Sequence, residues 1–576
     1  MARYFLNIGA NWGDTANWSD TDGGAGGFSV PTNTDDVYFT ALSGNCTINT
    51  SLRQARILDF TGYTNTITLD NPLRSNNDLT LSASMTFAGA SYLQVYGVTP
   101  TITSNGKVVP ILRVGAIGGG SFTITLADDW YVGELQVENG SITLNGNTIF
   151  ISTDYTPVGG GSSTGTTNLE FTGTGNISTG AVIRNNVTIN SGGTITLGST
   201  LNYQTGTFTD LGLGTVVTTG NTLTTTVCTY DTPNIVWNNV TVTNTGAFDI
   251  ELLDVFNISG TLTKADGFPT LFVGSTINLS GSLNLSNGLI YGPTTDVILN
   301  GTGTWSASGT GEIRNNLTIN TAGTITLSGT LIYQTGTFTH VAGTVDTTGS
   351  AVRFLGCSID AAGITFNGLF LGYSSSATVT LLDDMFCTNL ATGLSATAPT
   401  INGFTVTVTG DYRKSTSNIV NGTTVVIMTG TGTINITSPS YLPVEINTAG
   451  TITLAANVFF SKFTHITGTV DTTTNISHVR FTGPQSIGTV IITNGTVEWN
   501  TVTFLNTNNY VNQLADDMTV NGTLNFGTSN SNFYVVNANK IYVNGSLSVP
   551  IFLGGSGGTT EIVMSGTGTV TTSISG

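Results

Sequence analysis

Charged residues are scarce in this chain, and positively charged residues are the scarcest. Only 8% of the 576 residues are charged, with 15 Lys and Arg against 33 Asp and Glu, so the formal net charge is −18. An ordinary soluble domain carries about 25% charged residues. Binding to nucleic acid depends on clustered positive charge that displaces counterions. The composition therefore argues against a nucleic-acid partner.

Long hydrophobic runs and paired cysteines are also missing. No run approaches the roughly 18 uninterrupted apolar residues of a membrane-spanning helix, so we expect no insertion into a membrane. Intrinsic disorder is excluded, because 39% of the residues are hydrophobic and they are spread along the whole chain. The cysteines form no CxxC pair and have no metal-ligand spacing, and we expect buried, reduced thiols at Cys46, Cys228, Cys357 and Cys387.

What the sequence does contain is internal repetition with a period near 130 residues. Segments 173–209 and 301–339 share the core NN(V/L)TIN at an interval of 130 residues, and a more diverged copy begins at Gly430. Four aspartates follow Leu-rich strand ends at similar intervals and are aligned with one another, namely Asp129, Asp254, Asp384 and Asp517. A fixed period of this kind is typical of repeat architectures.

These intervals predict the organisation of the chain. It begins with an N-terminal cap or attachment module and continues with a first, diverged repeat, three further repeats and the start of a partial one. The predicted boundaries are 1–45, 46–171, 172–300, 301–429, 430–565 and 566–576.

Within each repeat, apolar and polar residues alternate over four to six positions, and Gly or Asn steps interrupt them every six to ten residues. Alternation of this kind predicts strands, and Gly and Asn suit the corners between them. We predict an all-β fold, a β-solenoid of the parallel β-helix type with rungs of roughly 20 residues. The alternative is a tandem array of β-sandwiches, which normally shows a change of composition at each linker.

The first 45 residues differ from the repeats, because they are rich in Trp, Asp and Gly. We expect Trp12, Trp18 and Pro31 to cover the open end of the stack. A loop rich in carboxylates is also a candidate Ca²⁺ site, here formed by Asp14, Asp20, Asp22, Asp35 and Asp36. Solvated turns that hydrogen-bond their own backbone are the alternative interpretation of these aspartates. No other cofactor or metal is expected.

Further residues could carry chemistry. Glycan-cleaving enzymes use a pair of carboxylates, and the candidate pairs are Asp128–Asp129, Asp383–Asp384 and Asp516–Asp517. Because these doublets recur at the repeat period, we interpret them as structural turns and expect no catalytic residues. The histidines His340, His465 and His478 lack a further ligand set. Trp130, Trp237, Trp305 and Trp499 are predicted to face the core.

The opening of the chain carries a family resemblance. Trp12 and Trp18 are separated by five residues and followed by SVP at 29–31, DDVYF at 35–39 and then GNCTINTSLRQARILDFTGYTNTITL. This pattern, with the later GTGTW…IRNNLTINTAGTITLSGT repeats, resembles repetitive β-solenoid proteins of tailed bacteriophages. Autotransporter passengers and filamentous adhesins of bacteria show a similar repeat pattern.

The resemblance implies a virion surface protein, such as a tail fibre, tailspike, head fibre or decoration protein. We therefore expect a non-enzymatic structural protein that projects from the particle. Its N-terminal module would bind other virion proteins, and its repeats would attach to a host-surface glycan through weak, multivalent contacts. Both a homotrimer and a monomer are consistent with the sequence. The N-terminus has too weak an apolar stretch for a signal peptide, so we expect synthesis in the host cytoplasm and a final position on the virion. The alternatives are a tailspike depolymerase that cleaves host polysaccharide and a bacterial surface adhesin.

Overall fold

The computed structural model describes residues 1–573, apart from 116–119, 179, 181, 244–245, 247, 265, 287, 373–377, 394–398, 415–419, 476, 483–488, 506–510, 528–533, 537–538 and 551–560. It forms two compact units, Met1–Gly281 and Ser282–Gly576. The division lies inside the predicted repeat 172–300. The last three residues of the predicted partial repeat 566–576 lie outside the described part.

The first unit is built from short strands, and its described residues contain one short helix, the 3-10 turn Thr15–Asn17. The strands are Ala2–Phe5, Trp18–Ser19, Asp36–Tyr38, Cys46–Thr47, Arg53–Ala55, Ile57–Asp59, Thr66–Thr68, Leu73–Ser75, Leu79–Thr80, Thr86–Ala88, Leu93–Val95, Thr101–Thr103, Val108–Val114, Ser121–Leu126, Trp130–Val137, Ser141–Gly146, Ile149–Ile151, Tyr155–Pro157, Ser162–Phe171, Gly175–Ile177, Val182–Ile189, Thr194–Leu197, Thr200–Tyr203, Thr207–Asp210, Thr215–Val217, Thr222–Thr225, Thr229–Asp231, Val236–Trp237, Asn239–Val242, Phe248–Leu252, Phe256–Ile258, Leu262–Lys264, Pro269–Gly274 and Ile277–Leu279.

The second unit is built in the same way. Its strands are Leu283–Ser286, Leu289–Leu299, Gly303–Ser308, Glu312–Tyr333, Thr337–Asp346, Ala351–Phe354, Ser358–Asp360, Thr365–Leu371, Thr378–Leu381, Met385–Thr392, Thr400–Gly403, Val406–Val408, Tyr412–Lys414, Asn421–Gly422, Val426–Met428, Gly432–Ile436, Val444–Leu454, Asn457–Phe460, Phe463–Asp471, His478–Thr482, Thr489–Thr493, Glu498–Trp499, Thr501–Leu505, Val511–Leu514, Met518–Val520, Leu524–Phe526, Tyr534–Val536, Lys540–Val543, Leu547–Pro550, Glu561–Met564 and Val570–Ser573.

The strands pair in parallel with those of the next turn, which confirms the predicted β-solenoid. In the first unit Ile124 pairs with Leu144, and in the second Leu331 pairs with Val352, about one 20-residue turn further along. The strands that the structure describes make about 22 turns. The alternative of tandem β-sandwiches is wrong, because such sandwiches are antiparallel. Among the described residues, no helix is long and apolar enough to cross a membrane.

The core of each unit consists of side chains stacked in columns along the coil. Alternating residues of each strand point inward, so equivalent positions of successive turns contact one another. A column in the first unit consists of Leu73, Leu93, Leu112, Leu135 and Tyr155, and all of these are fully buried. A column in the second unit consists of Leu331, Val352, Leu369, Leu390, Tyr412 and Ile434.

Glycine at one corner of the repeat is required by the closeness of the turns. Gly274 and Gly403 lie 129 residues apart in the sequence, and both have a φ of +109°, which favours glycine. A Cβ atom at either position would lie 2.1 Å from a carbonyl oxygen of the preceding turn, that of Leu252 or Leu381. The same corner, at which the backbones of two successive turns are in contact, therefore recurs at the repeat period.

The N-terminal module covers the end of the first unit. The strand Ala2–Phe5 pairs in parallel with Asp36–Tyr38 on one side and antiparallel with Trp18–Ser19 on the other. The outer edge of Trp18 is covered in turn, since its carbonyl accepts the N–H of Phe28 at 3.1 Å. The predicted capping residues Trp12, Trp18 and Pro31 are buried.

The two tryptophans of the module pack against each other. Their ring centroids are 4.8 Å apart, and the indole N–H of Trp18 donates to the Trp12 carbonyl at 2.7 Å. Phe39 stacks on Phe60 of the following turn at 4.8 Å and lies 6.0 Å from Trp12. The cap is therefore continuous with the core of the coil.

Candidate functional site

The aspartate doublet Asp128–Asp129 joins three successive turns. The Asp128 carboxylate accepts the backbone N–H of Ser104 at 2.7 Å and that of Asn105 at 2.6 Å, both on the preceding turn. Asp129 accepts the N–H of Thr148, on the following turn, at 3.0 Å. Each carboxylate thus satisfies backbone donors at a corner where the strand ladder is interrupted.

The doublet Asp516–Asp517 makes the same set of contacts in the second unit. Asp516 accepts the N–H groups of Asn494 and Gly495, both at 2.5 Å. Asp517 accepts the N–H of Lys540 at 2.7 Å. In the third doublet, Asp383 accepts the N–H of Asp384 at 2.7 Å and Asp384 accepts the N–H of Thr405, on the following turn, at 2.9 Å. Hydrogen bonding to backbone donors by all three doublets is what the interpretation as structural turns requires. We call Asp128–Asp129 and Asp516–Asp517, with the backbone groups they bind, the carboxylate corners.

The alignment of Asp254 with Asp129 is wrong by one residue. Asp254 lies two residues after the strand Phe248–Leu252, as Asp128 does after Ser121–Leu126. This copy has Val255 in place of a second aspartate, so its single carboxylate belongs with Asp128. It accepts the N–H of Val255 at 2.7 Å and, among the described contacts, binds no neighbouring turn.

The histidines form hydrogen bonds within the coil. Nε2 of His340 lies 3.2 Å from the Gly343 carbonyl, and Nε2 of His465 lies 3.1 Å from that of Gly468. His340 and His465 therefore occupy equivalent positions in the repeat. Burial, and secondarily a neighbouring arginine, lowers the pKa of His478. Within the described residues, no three His, Cys, Asp or Glu side chains form a group that could hold a metal ion.

The N-terminal aspartates proposed as a Ca²⁺ loop do not converge. Four of them have separate partners, which are Ala16 for Asp14, Thr40 for Asp22, Thr32 for Asp35 and Arg56 for Asp36, and Asp20 is exposed. Burial is the largest single effect on the pKa of Asp35 and raises it, but hydrogen bonds from Thr32 and the N-terminal amino group together outweigh burial and lower this pKa. The arrangement matches solvated turns better than a calcium site.

The tryptophans and cysteines serve the core. All six tryptophans are at most 1% exposed, which confirms the predicted inward orientation of Trp130, Trp237, Trp305 and Trp499. The four thiols are free and buried, as expected, and burial raises the pKa of Cys228 to about 11.

A ladder of alternating glutamine and arginine runs along the outward-facing side of the strands of the first unit, with its central member Gln94 buried and the others partly exposed. Five residues on successive turns are in register, namely Gln54, Arg74, Gln94, Arg113 and Gln136. Arg74 Nε donates to Gln94 Oε1 at 2.9 Å, and Arg113 Nε donates to Gln136 Oε1 at 2.6 Å. Each of these two guanidinium groups is therefore held by an amide of the next turn.

Tyrosines flank the middle of this ladder. Tyr92 and Tyr96 lie on either side of Gln94 and are partly exposed. The Arg113 guanidinium is 3.6 Å from the Tyr92 ring centroid, and that of Arg74 is 5.1 Å from the Tyr96 centroid, both within cation–π distance. We call Arg74, Tyr92, Gln94, Tyr96 and Arg113 the arginine–tyrosine surface.

The two arginines of this surface differ in their electrostatic partners. Arg113 forms an ion pair with Glu138 at 3.0 Å. In the described part of the chain, no carboxylate lies within 4.0 Å of Arg74. The pKa of Arg74 is lowered chiefly because burial disfavours its charged form, and also because Arg113 is close. Arg74 therefore has no direct ion pair among the described residues, although the more distant Glu138 still favours its charged form.

Sequence reasoning missed the arginine–tyrosine surface, although a signal for it exists. The residues Gln54, Arg74, Gln94, Arg113 and Gln136 follow one another at intervals of 20, 20, 19 and 23 residues. These intervals match one turn of the coil, so alternation of two planar polar side chains at the turn spacing is the pattern that reveals the ladder.

Comparison of the chain with protein-family models, curated proteins and solved structures finds no match.

Proposed function

We propose that this chain is a structural protein of a phage particle, a fibre or decoration protein that projects from the virion and contributes to attachment to the host surface. Its N-terminal module would bind other virion proteins, and its turns would contact host-surface glycan weakly and at many places, so that avidity replaces single-site affinity.

The observation that supports this proposal best is the structural use of the polar groups that recur with the repeat. The carboxylate corners bind backbone donors of adjacent turns. Parallel strand ladders and satisfied corners make each unit stiff and leave few backbone groups open to proteases. Stiffness and protease resistance are what an exposed appendage requires.

The depolymerase alternative receives no support from the doublets. A glycosidase needs two carboxylates that face a common substrate, whereas Asp128 is hydrogen-bonded to the preceding turn and Asp129 to the following one. The same holds for Asp516 and Asp517.

The test is to delete the gene from a phage that carries it and to compare the particles. Micrographs of the wild-type particle are expected to show a projection that the deletion removes, and the rate of adsorption to host cells is expected to fall. Particles that contain no copy of the protein by mass spectrometry would overturn the proposal. A gene located among chromosomal secretion genes would favour the adhesin. Release of oligosaccharides from host polysaccharide by the purified chain would favour the depolymerase.

A further inference from the structure

We propose that the arginine–tyrosine surface (Arg74, Tyr92, Gln94, Tyr96 and Arg113) binds a carboxylate-bearing sugar unit, with Arg74 as the group that receives the carboxylate. This inference rests on the proposed function, because it assigns the glycan class and the binding site for attachment to the host.

Arg74 has free hydrogen-bonding capacity. Its hydrogen bond goes from Nε to Gln94, and in the part of the chain that the structure describes neither terminal nitrogen donates to a protein acceptor. A guanidinium group binds carboxylates through two parallel N–H···O bonds. The two terminal nitrogens are suited to a ligand that brings its own carboxylate.

Gln94 fixes the position of that guanidinium. Its side chain is fully buried, accepting from Arg74 at 2.9 Å and donating to the Gly115 carbonyl at 3.0 Å. Both ends of the amide are therefore used, and Arg74 is held in place before a ligand arrives. Pre-organisation of this kind lowers the entropic cost of binding.

The tyrosines supply apolar and polar surface beside the charge. Tyr92 and Tyr96 directly precede and follow the strand Leu93–Val95, and both remain partly exposed. An aromatic ring with a hydroxyl group offers an apolar body for the C–H groups of a sugar ring and a polar end for its hydroxyls. A surface that combines a guanidinium charge with aromatic rings and hydroxyl groups is better suited to bind an acidic sugar than a simple anion.

The surrounding charges favour one end of the surface. Glu138 pairs with Arg113 at 3.0 Å and Glu134 accepts from Gln136 at 2.9 Å, so both carboxylates are bound at the Arg113 end, although Glu138 also acts on Arg74 over a longer distance. Arg74 lies at the other end, without such a partner. In a chain of net charge −18, an anionic polymer is repelled by most of the protein and bound where positive charge is exposed.

The first unit contains a matched control. Arg184 also donates to a glutamine of the following turn, from its terminal Nη2 to Gln204 Oε1 at 2.7 Å, whereas Arg74 donates to Gln94 from Nε. Among the described contacts, no aromatic ring lies within cation–π distance of Arg184. Arg74→Gln and Arg184→Gln therefore remove the same charge from the same kind of pair, and only the first alters the proposed site.

The experiment measures binding of the full chain to immobilised polygalacturonate, alginate and hyaluronan, with neutral dextran as a reference, at low and physiological salt. We expect the wild type to bind at least one polyuronate and not dextran. Arg74→Gln should weaken that binding at least tenfold, Tyr96→Ala should weaken it several-fold, and Arg184→Gln should leave it within twofold. Circular dichroism checks that each variant is folded.

Three outcomes would overturn the inference, namely no polyuronate bound by the wild type, equal binding to dextran, or equal losses in Arg74→Gln and Arg184→Gln. The proposed function is scored separately, by adsorption of particles that lack the protein. A fall in adsorption without polyuronate binding would remove this inference and leave the proposed function standing.

Discussion

The carboxylate corners and the arginine–tyrosine surface both lie on the outside of the coil, yet they use polar side chains differently. Asp128 and Asp129 recur as Asp516 and Asp517 and satisfy backbone donors of adjacent turns. Among the residues that the structure describes, the arginine–tyrosine surface does not recur in this form, and the terminal nitrogens of Arg74 have no protein acceptor. In a repeat protein, a polar group that recurs with the period stabilises the coil, and one that occurs once is the better candidate for a ligand.

Removing a corner carboxylate should have the largest effect on stability. We expect Asp128→Ala to lower the free energy of unfolding of its turns by about 2 kcal/mol, because two backbone N–H groups lose a charged acceptor. Hydrogen exchange followed by mass spectrometry should show faster exchange in the peptide that contains Ser104 and Asn105.

The control for this corner is Asp254→Ala. Asp254 holds the equivalent position but accepts from its own neighbour Val255, so its loss should cost less than about 1 kcal/mol. Equal costs for Asp128→Ala and Asp254→Ala would show that the contacts between turns do not distinguish the two corners.

The arginine–tyrosine surface should respond more weakly in stability. Arg74→Gln is expected to change the free energy of unfolding by no more than about 1 kcal/mol, since the new amide can still donate to Gln94. Thermal unfolding of the variant beside Asp128→Ala checks this. A larger loss for Arg74→Gln than for Asp128→Ala would reverse the comparison and make the surface a structural element.

The turns that begin at Asp346 and Asp471 should make a smaller, pH-dependent contribution to the free energy of unfolding. Hydrogen bonds from Thr474 and Thr473 lower the pKa of Asp471, and those from Thr348 lower the pKa of Asp346, below the ordinary 3.8. A lowered pKa in the folded state adds stability above pH about 4, which is lost as the pH falls through the folded value. Unfolding measured between pH 5 and pH 2 should show this decline, and Asp346→Asn with Asp471→Asn should reduce it. An unchanged decline in the double variant would contradict the assignment.

The buried thiols should show no reaction at all in the folded chain. Burial raises the pKa of Cys46, Cys228, Cys357 and Cys387 above the ordinary 9.0, so little thiolate is present at pH 8. Ellman's reagent should label none of them until the chain is denatured, when all four should react. Rapid labelling of the native chain would show that the core is open to solvent.

The fold could be predicted from the sequence because the signals were periodic. The alternation of apolar and polar residues and the 130-residue interval together predicted the β-solenoid. The recurrence of the aspartate doublets indicated that they are structural. The error at Asp254 arose because Val255 replaces the second aspartate there, so aligning by residue type shifted the register by one. Strand ends, which only the structure shows, restore it.

The arginine–tyrosine surface was harder to find because its members lie far apart in the sequence. Arg74, Gln94 and Arg113 become neighbours only when the length of each turn is known, and that length varies from turn to turn through insertions at the corners. The contacts of Gln94 with Arg74 and Gly115 depend on rotamers that no spacing rule supplies.

The antiparallel strand Trp18–Ser19 limits how a second copy of the chain could pair with the N-terminal end of the first unit. A parallel stack with an uncovered rim is a template on which an identical chain can dock and continue the ladder. A two-residue strand that runs in the opposite direction, with its outer edge covered by Phe28, offers no such template. Chains truncated from the N-terminus past Phe28 would therefore expose a strand edge with which further copies could pair. The N-terminal module thus protects this end of the first unit against filament growth.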